Sequence, residues 1–352
     1  MSLRVMYMPE QSTYTLAELK KIHDDLPSMV AQDLKFRSAF VIMDNLAQYH
    51  RQMHRLALQL ALQHIHGKMP PSWQTGFAFA LLGSGARGEQ SIRSDQDHAF
   101  IYPIEHESSP GDGDAYYQRL GEVTAAMLHQ IGYPFCSGNI MASNTRWRGT
   151  LSIWQERIIN YADYPDWDNI RFLLIASDAR TIIGESGLVA NVRRSVAHAI
   201  SRSPFIRWKV ADQALSHPIA LTLLGGIRSD PDPSRKGYFQ VKEGFYTPLV
   251  NSVRIWALSL DIGEPSTKIR IEKLLLQKAW SAELAKQVTD ALETALFVRL
   301  RHHVMQALQG QPIDDYILIE QLTDEERDRI KRALRTTKQL QQITLRQFNR
   351  PG

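Results

Sequence analysis

The stretch LLGSGARGEQSIRSDQDHAFIY, from Leu81 to Tyr102, carries a glycine pattern with rival readings. Gly83, Gly85 and Gly88 fit the G-x-G-x-x-G spacing of a dinucleotide fold, and they follow an apolar run, Phe77 to Leu82, that reads as a strand. That fold needs a crossover of about a dozen residues before its next parallel strand. Only six residues, Glu89 to Ser94, separate Gly88 from Asp95. A full crossover does not fit. A P-loop fails as well, because no lysine followed by serine or threonine comes after the glycines.

A third reading uses every unusual residue in the stretch. Gly83-Ser84 turns the strand into a short helix, whose first N–H groups and dipole attract an anion. Ser84 adds a hydroxyl, and glycine at 83 and 85 lets the backbone approach phosphate oxygens. The chain then returns as a strand, His98 to Tyr102, with Asp95 and Asp97 at its head, two apart and therefore on one face. Two such carboxylates beside a triphosphate can hold Mg²⁺ ions about 3.5–4 Å apart. Magnesium suits this division, with phosphate and water completing its octahedron. A glycine turn followed by two solvated acids would explain the acids alone, but not the joint pattern.

The rest of the chain bounds this reading. Its 352 residues suffice for two domains with sizeable cores, and 43% apolar with 22% charged residues is a globular composition. No apolar run approaches the roughly 20 residues of a membrane span, and Met1 to Gln11 lacks the layout of a signal peptide. Cys136 is the only cysteine, which excludes internal disulfides and thiolate zinc clusters and leads us to expect a cytoplasmic home. A formal charge of +4 suits a polyanionic ligand such as a nucleoside triphosphate. It speaks against a nucleic-acid coat, and no basic, aromatic-studded groove is evident. Arg327, Arg329, Lys331, Arg332, Arg335, Lys338 and Arg346 alternate with Leu and Ile at helical spacing and read as a solvated helix face.

Periodicity predicts an α+β fold in three parts: an N-terminal helical arm (1–70), a mixed-sheet domain (71–185) and a C-terminal all-α bundle (186–352). Thr15 to Glu18 and Thr323 to Glu326 are capping boxes, and 38–66 is one long amphipathic helix ended by Gly67 and Pro70-Pro71. His50 and His54 stand one turn apart on it, but no third ligand at suitable spacing makes them a zinc site. Strands are expected at 77–82, 98–102 and 140–142, helices at 116–131 and 149–161, and a polar loop at 107–114. Helices at 188–201, 205–224, 246–260, 267–280, 282–309 and 323–345 fill the last part.

Gly83-Ser84-x8-Arg93-Ser94-Asp95-x-Asp97, with Gly85-x-Arg87-Gly88-Glu89 inside it, resembles the polymerase-β-like nucleotidyltransferase superfamily. Within it the likeness is to the PII-uridylyltransferase-like branch and its DUF294 nucleotidyltransferases. Cys136 to Asn144 with Trp147-Arg148 is similar to that family's second signature. Lys242-x-Gly244, Asn251 to Leu258 and Gly263-x-x-Ser266-Thr267 are similar to its C-terminal substrate-binding domain. The resemblance implies two-metal transfer of a nucleoside monophosphate from a triphosphate to a hydroxyl, with Mg²⁺ (or Mn²⁺) on Asp95 and Asp97. The acceptor could be a PII-like protein. No CBS pair is recognisable, so any adenylate sensing by such a pair would have to come from a CBS-domain partner.

The same resemblance suggests further site residues, each with a structural alternative. Arg87 is a candidate phosphate contact or a partner of Glu89, and Ser94 orients the Asp95 loop or simply turns it. Members of the superfamily commonly supply a third carboxylate, but the stretch from Pro134 to Ala142 has no acid. Asp178 is the substitute by position, unless it pairs with Arg171 or Arg180. Asn144 and Arg148 could orient base or acceptor, or cap a helix. Lys242, Arg254 and Lys268 could line the cleft or lie on helix surfaces. Without a third carboxylate, a catalytically silent nucleotide-binding regulatory module is the alternative function.

Overall fold

A computed structural model describes residues 14–66, 76–102 and 112–351. Gly67, Pro70-Pro71 and most of the expected polar loop fall outside the described residues.

The small sheet forms where the sequence has continuous apolar runs. Its order is β3 (Arg148–Thr150), β2 (His98–Tyr102), β1 (Ala78–Leu81), β4 (Arg180–Gly184), with β2 antiparallel to β1 and parallel to β3. Every residue of β1, β2 and β3 is buried, because helices cover both faces. Ala78, Ala80, Ala99 and Ile101 face α6 (Leu151–Asp163), α7 (Trp167–Ala176) and α8 (Ser186–Arg202). Phe77, Phe79, Phe100 and Tyr102 face the end of α3 (Ala39–His66) and α5 (Asp112–Ile131). The fold is thus α+β with a small mixed sheet.

A second core joins α1 (Leu16–Asp24), α2 (Leu26–Asp33) and the first half of α3 to α10 (Thr247–Ser259), α11 (Thr267–Leu276), α12 (Ala282–Leu308) and α13 (Asp324–Gln347). Both capping boxes are present, on α1 and α13. The helical part also holds a two-stranded antiparallel sheet, β5 (Tyr238–Gln240) with β6 (Tyr316–Leu318), that periodicity did not reveal. Among the described residues no helix is long and apolar enough to cross a membrane.

Two expected elements differ. Residues 140–142 run beside β2 without forming a strand: the Cys136–Asn139 turn, with Asn139 at φ 53°, breaks the extended path. The helix expected over 205–224 is α9 (Pro204–Ala214), which stops ten residues short. Pro218 offers no N–H and disfavours helical geometry just before it.

Candidate active site

The glycine stretch folds as a strand, a single helical turn and a loop back to the sheet. β1 leads through Leu82 into α4 (Gly83–Arg87), which ends on Gly88 in the left-handed region. Gly83 is itself at φ +52°, and a Cβ there would lie 2.9 Å from Asp97 Oδ2. Glycine at 83 is therefore demanded twice, by backbone and by space. Gly85 is buried against Gln90 and Leu81 and serves packing; it does not line the cleft.

The loop from Glu89 to Asp97 is pinned by residues distant in sequence. The His50 Nε2–H donates to Ser91 O at 2.9 Å, while the Ser91 hydroxyl meets His303 Nδ1 at 2.8 Å. The two helix histidines are therefore structural: His50 also meets the Tyr133 hydroxyl, and burial lowers His54 to about 4. Gln96 points inward and donates to Ala125 O and Tyr133 O. Asp95 and Asp97, on either side of it, both line one cleft. Asp95 is exposed, while Asp97 lies deeper.

Burial is the main cause raising the Asp97 carboxyl to about 6, and Asp95 adds to it, against the opposing Cys136 hydrogen bond. Burial also lifts the Cys136 thiol to about 12, with Asp97 adding to it, so the thiol stays protonated and donates. One oxygen of Asp97, Oδ1, is buried without any hydrogen-bond partner. An orphaned carboxylate oxygen beside a second carboxylate is the donor set a hard cation requires. Among the described residues no cluster of three or more His, Cys, Asp or Glu side chains could hold a metal.

The cleft has a volume of about 300 Å³. Gly83, Ser84, Arg93, Ser94, Asp95 and Asp97 form one wall, with Arg87 at the floor. Lys242, Tyr246, Thr247, Arg299, His303, Ile313, Asp314 and Asp315 form the other. Lys242 and Tyr246 belong to a single π-helical turn ahead of α10. Lys242 and Arg93 are exposed and make no ion pair among the described residues. Arg299 and His303 grip Asp315 and hold its carboxyl well below the usual range although burial opposes them. Arg93 sat unassigned in the quoted motif; Arg299, His303, Asp314 and Asp315 come from a distant helix and turn with no local signature.

Several expected site residues are elsewhere. Asp178 is fully buried, its Oδ1 bound by Arg254 and Arg270 and its Oδ2 by Arg87 and Arg254. Against the effect of burial, Arg254, Arg270 and Arg87 bring it down to about 2. Three guanidiniums leave that carboxylate nothing to offer a cation, so it is not a third metal ligand. Arg87 is equally committed, to Asp178, Glu89 and Tyr246. It is not a free phosphate contact.

Arg148 is 1% exposed and forks onto Asp114, with Gln118 and Ser143 O completing its bonds. Asn144 caps the short turn at Thr145–Trp147 and bonds Asn139 O. Neither lines the cleft. Lys268 lies over the Phe40 ring. Of the expected set, the structure gathers Gly83, Ser84, Arg87, Ser94, Asp95, Asp97 and Lys242 around the cleft, with Arg87 held there by its ion pairs.

Two family models match the chain, "Putative nucleotidyltransferase DUF294" over residues 21–168 and "Putative nucleotidyltransferase substrate binding domain" over 205–348. The chain belongs to the DUF294 family. The cleft lies between walls drawn from the two matched regions. A search of the curated proteins finds no match.

Two outcomes follow from this geometry. Gly83→Ala should weaken triphosphate and metal binding together, because its Cβ displaces Asp97; calorimetric titration of the folded variant reads both. Mn²⁺ affinity should be flat above pH 6 and fall about tenfold per unit below it, as a proton on Asp97 competes with the ion. Isothermal titration between pH 5 and 8, the range about the shifted carboxyl, checks this.

Proposed function

We propose that the cleft catalyses Mg²⁺-dependent transfer of a nucleoside monophosphate from a triphosphate to a hydroxyl, releasing pyrophosphate. The observation that carries the reading is the buried, unpartnered Asp97 oxygen beside Asp95 and the α4 turn. In this reading 71–185 is the catalytic unit, 186–352 binds substrate, and the acceptor is a protein hydroxyl of the PII type, met in the cytoplasm. When bound, Mg²⁺ (or Mn²⁺) neutralises phosphate charge and activates the acceptor hydroxyl. Asp95 and Asp97 hold the ions. The first N–H groups of α4 and the Ser84 hydroxyl donate to phosphate oxygens, and Ser94 steadies the loop. Lys242 and Arg93, exposed cations that make no ion pair among the described residues, offset charge on the leaving pyrophosphate.

Asp178 is tied to three arginines, and no third carboxylate groups with Asp95 and Asp97 among the described residues. This favours a second reading, a module that binds triphosphate without transferring it. Each α-labelled triphosphate, incubated with the protein, Mg²⁺ and a lysate fraction as acceptor source, separates the two. Label moving to an acceptor supports the enzyme. Metal-dependent binding with no transfer from any triphosphate supports the silent module.

A further inference from the structure

His303 on α12 stands 212 residues from Ser91, yet the two make a buried link between the walls of the cleft. Asp315 stays ionised against the effect of burial, held well below the usual carboxylate range by His303 and Arg299, so its oxygens only accept. His303 therefore carries its hydrogen on Nε2 and donates to Asp315 Oδ1 at 3.1 Å. Burial holds the imidazole below its ordinary range, so Nδ1 bears no second proton and accepts from the Ser91 hydroxyl at 2.8 Å. The link runs in one direction, from Ser91 through His303 to Asp315.

Both ends of this link adjoin residues that face the cleft. Ser91 opens the segment 92–95, and Gln96 closes it by donating to Ala125 O and Tyr133 O. Arg93, Ser94 and Asp95 line the cleft between those two anchors. At the other end, Asp315 O accepts from Val241 N at 2.9 Å, next to Lys242. A second tie runs alongside: the Tyr246 hydroxyl donates to Glu89, and Arg299 lies 5.6 Å from the Tyr246 ring while gripping Asp315. Glu89, Tyr246, Arg299, Asp315, His303 and Ser91 thus close a circuit. Apolar side chains could pack this seam, but hydrogen bonds fix its spacing and direction, which packing alone does not.

We propose that His303 is a positioning residue: through Ser91 and Asp315 it holds the loop bearing Arg93 and Asp95 at the distance from Lys242 that a metal-bound triphosphate spans. The inference rests on the phosphate and metal reading of the cleft given above. His303 acts through its neighbours and not on the reacting atoms. Side chains that orient groups around an ion or a phosphate in this way set its affinity without touching the chemistry.

Titration calorimetry of the full chain with Mn²⁺ and inorganic triphosphate, a probe that needs neither base nor acceptor, is the test. His303→Ala breaks both bonds and should weaken binding of the pair about tenfold. His303→Gln keeps one acceptor and one donor and should restore binding to within about threefold of wild type. Ser91→Ala cuts the same link, so combining it with His303→Ala should cost no more affinity than either change alone. Each variant is titrated below its own unfolding transition, with circular dichroism confirming the fold. His303→Ala protein that binds as wild type does, His303→Gln protein that regains nothing, or losses that multiply in the double variant overturn the positioning role alone. A wild type that does not bind the pair overturns the proposed function and this inference with it.

Discussion

Asp97→Asn is expected to lower nucleotidyl transfer on the order of 10³-fold while leaving the metal-free protein at least as stable as wild type. The first half follows from the cleft. Asp97 supplies the deeper of two carboxylates, with an oxygen left unpartnered in the protein alone. The second half follows from burial. The folded-state carboxyl is raised to about 6, above its ordinary 3.8, so protonation favours the folded state. That contribution is fully present below about 3.8 and is lost as pH rises through 6. Asparagine imitates the protonated form and escapes the loss at neutral pH. Rates at saturating triphosphate, with unfolding temperatures recorded without metal at pH 7.5, read both halves.

Asp178→Ala should have the largest effect on stability, about 3–5 kcal/mol, because it leaves Arg87, Arg254 and Arg270 buried without their counter-charge. Denaturant titration measures it. The sign of the pH dependence is opposite to that of Asp97. With the folded carboxyl lowered to about 2, its stabilisation is present above about 3.8 and fades as pH falls through 2. Folded Asp178→Ala protein, kept at low temperature, should bind Mn²⁺ as wild type does. A large loss of metal affinity there would return Asp178 to the metal site.

What could be read from the sequence was local. The glycine turn, the two acids, the strands β1 and β2 and both capping boxes each occupy a few consecutive residues, so spacing alone exposes them. Asp178 was misread because its partners Arg254 and Arg270 stand 76 and 92 residues away, on α10 and α11. The carboxylate is a tie between the sheet domain and the helices, and only tertiary packing reveals that. Arg148 was misread likewise, since its fork closes on Asp114, 34 residues earlier. Apart from Lys242, the second wall of the cleft was invisible because Arg299 and His303 gather around the Asp315 carboxylate from α12 and a following turn, with no periodic pattern linking them to the glycine stretch. Strands of three residues such as β5 and β6 are too short to show alternation.

The most direct measurement follows the fate of label from two versions of one triphosphate, carrying it on the α or on the γ phosphorus, with Mg²⁺ and acceptor present. Nucleotidyl transfer predicts that α label joins the acceptor while γ label leaves as pyrophosphate, both abolished in the protein with Asp95→Asn and Asp97→Asn. Label from the γ position on the acceptor, release of γ label as single phosphate, or transfer undiminished in the double variant would contradict it.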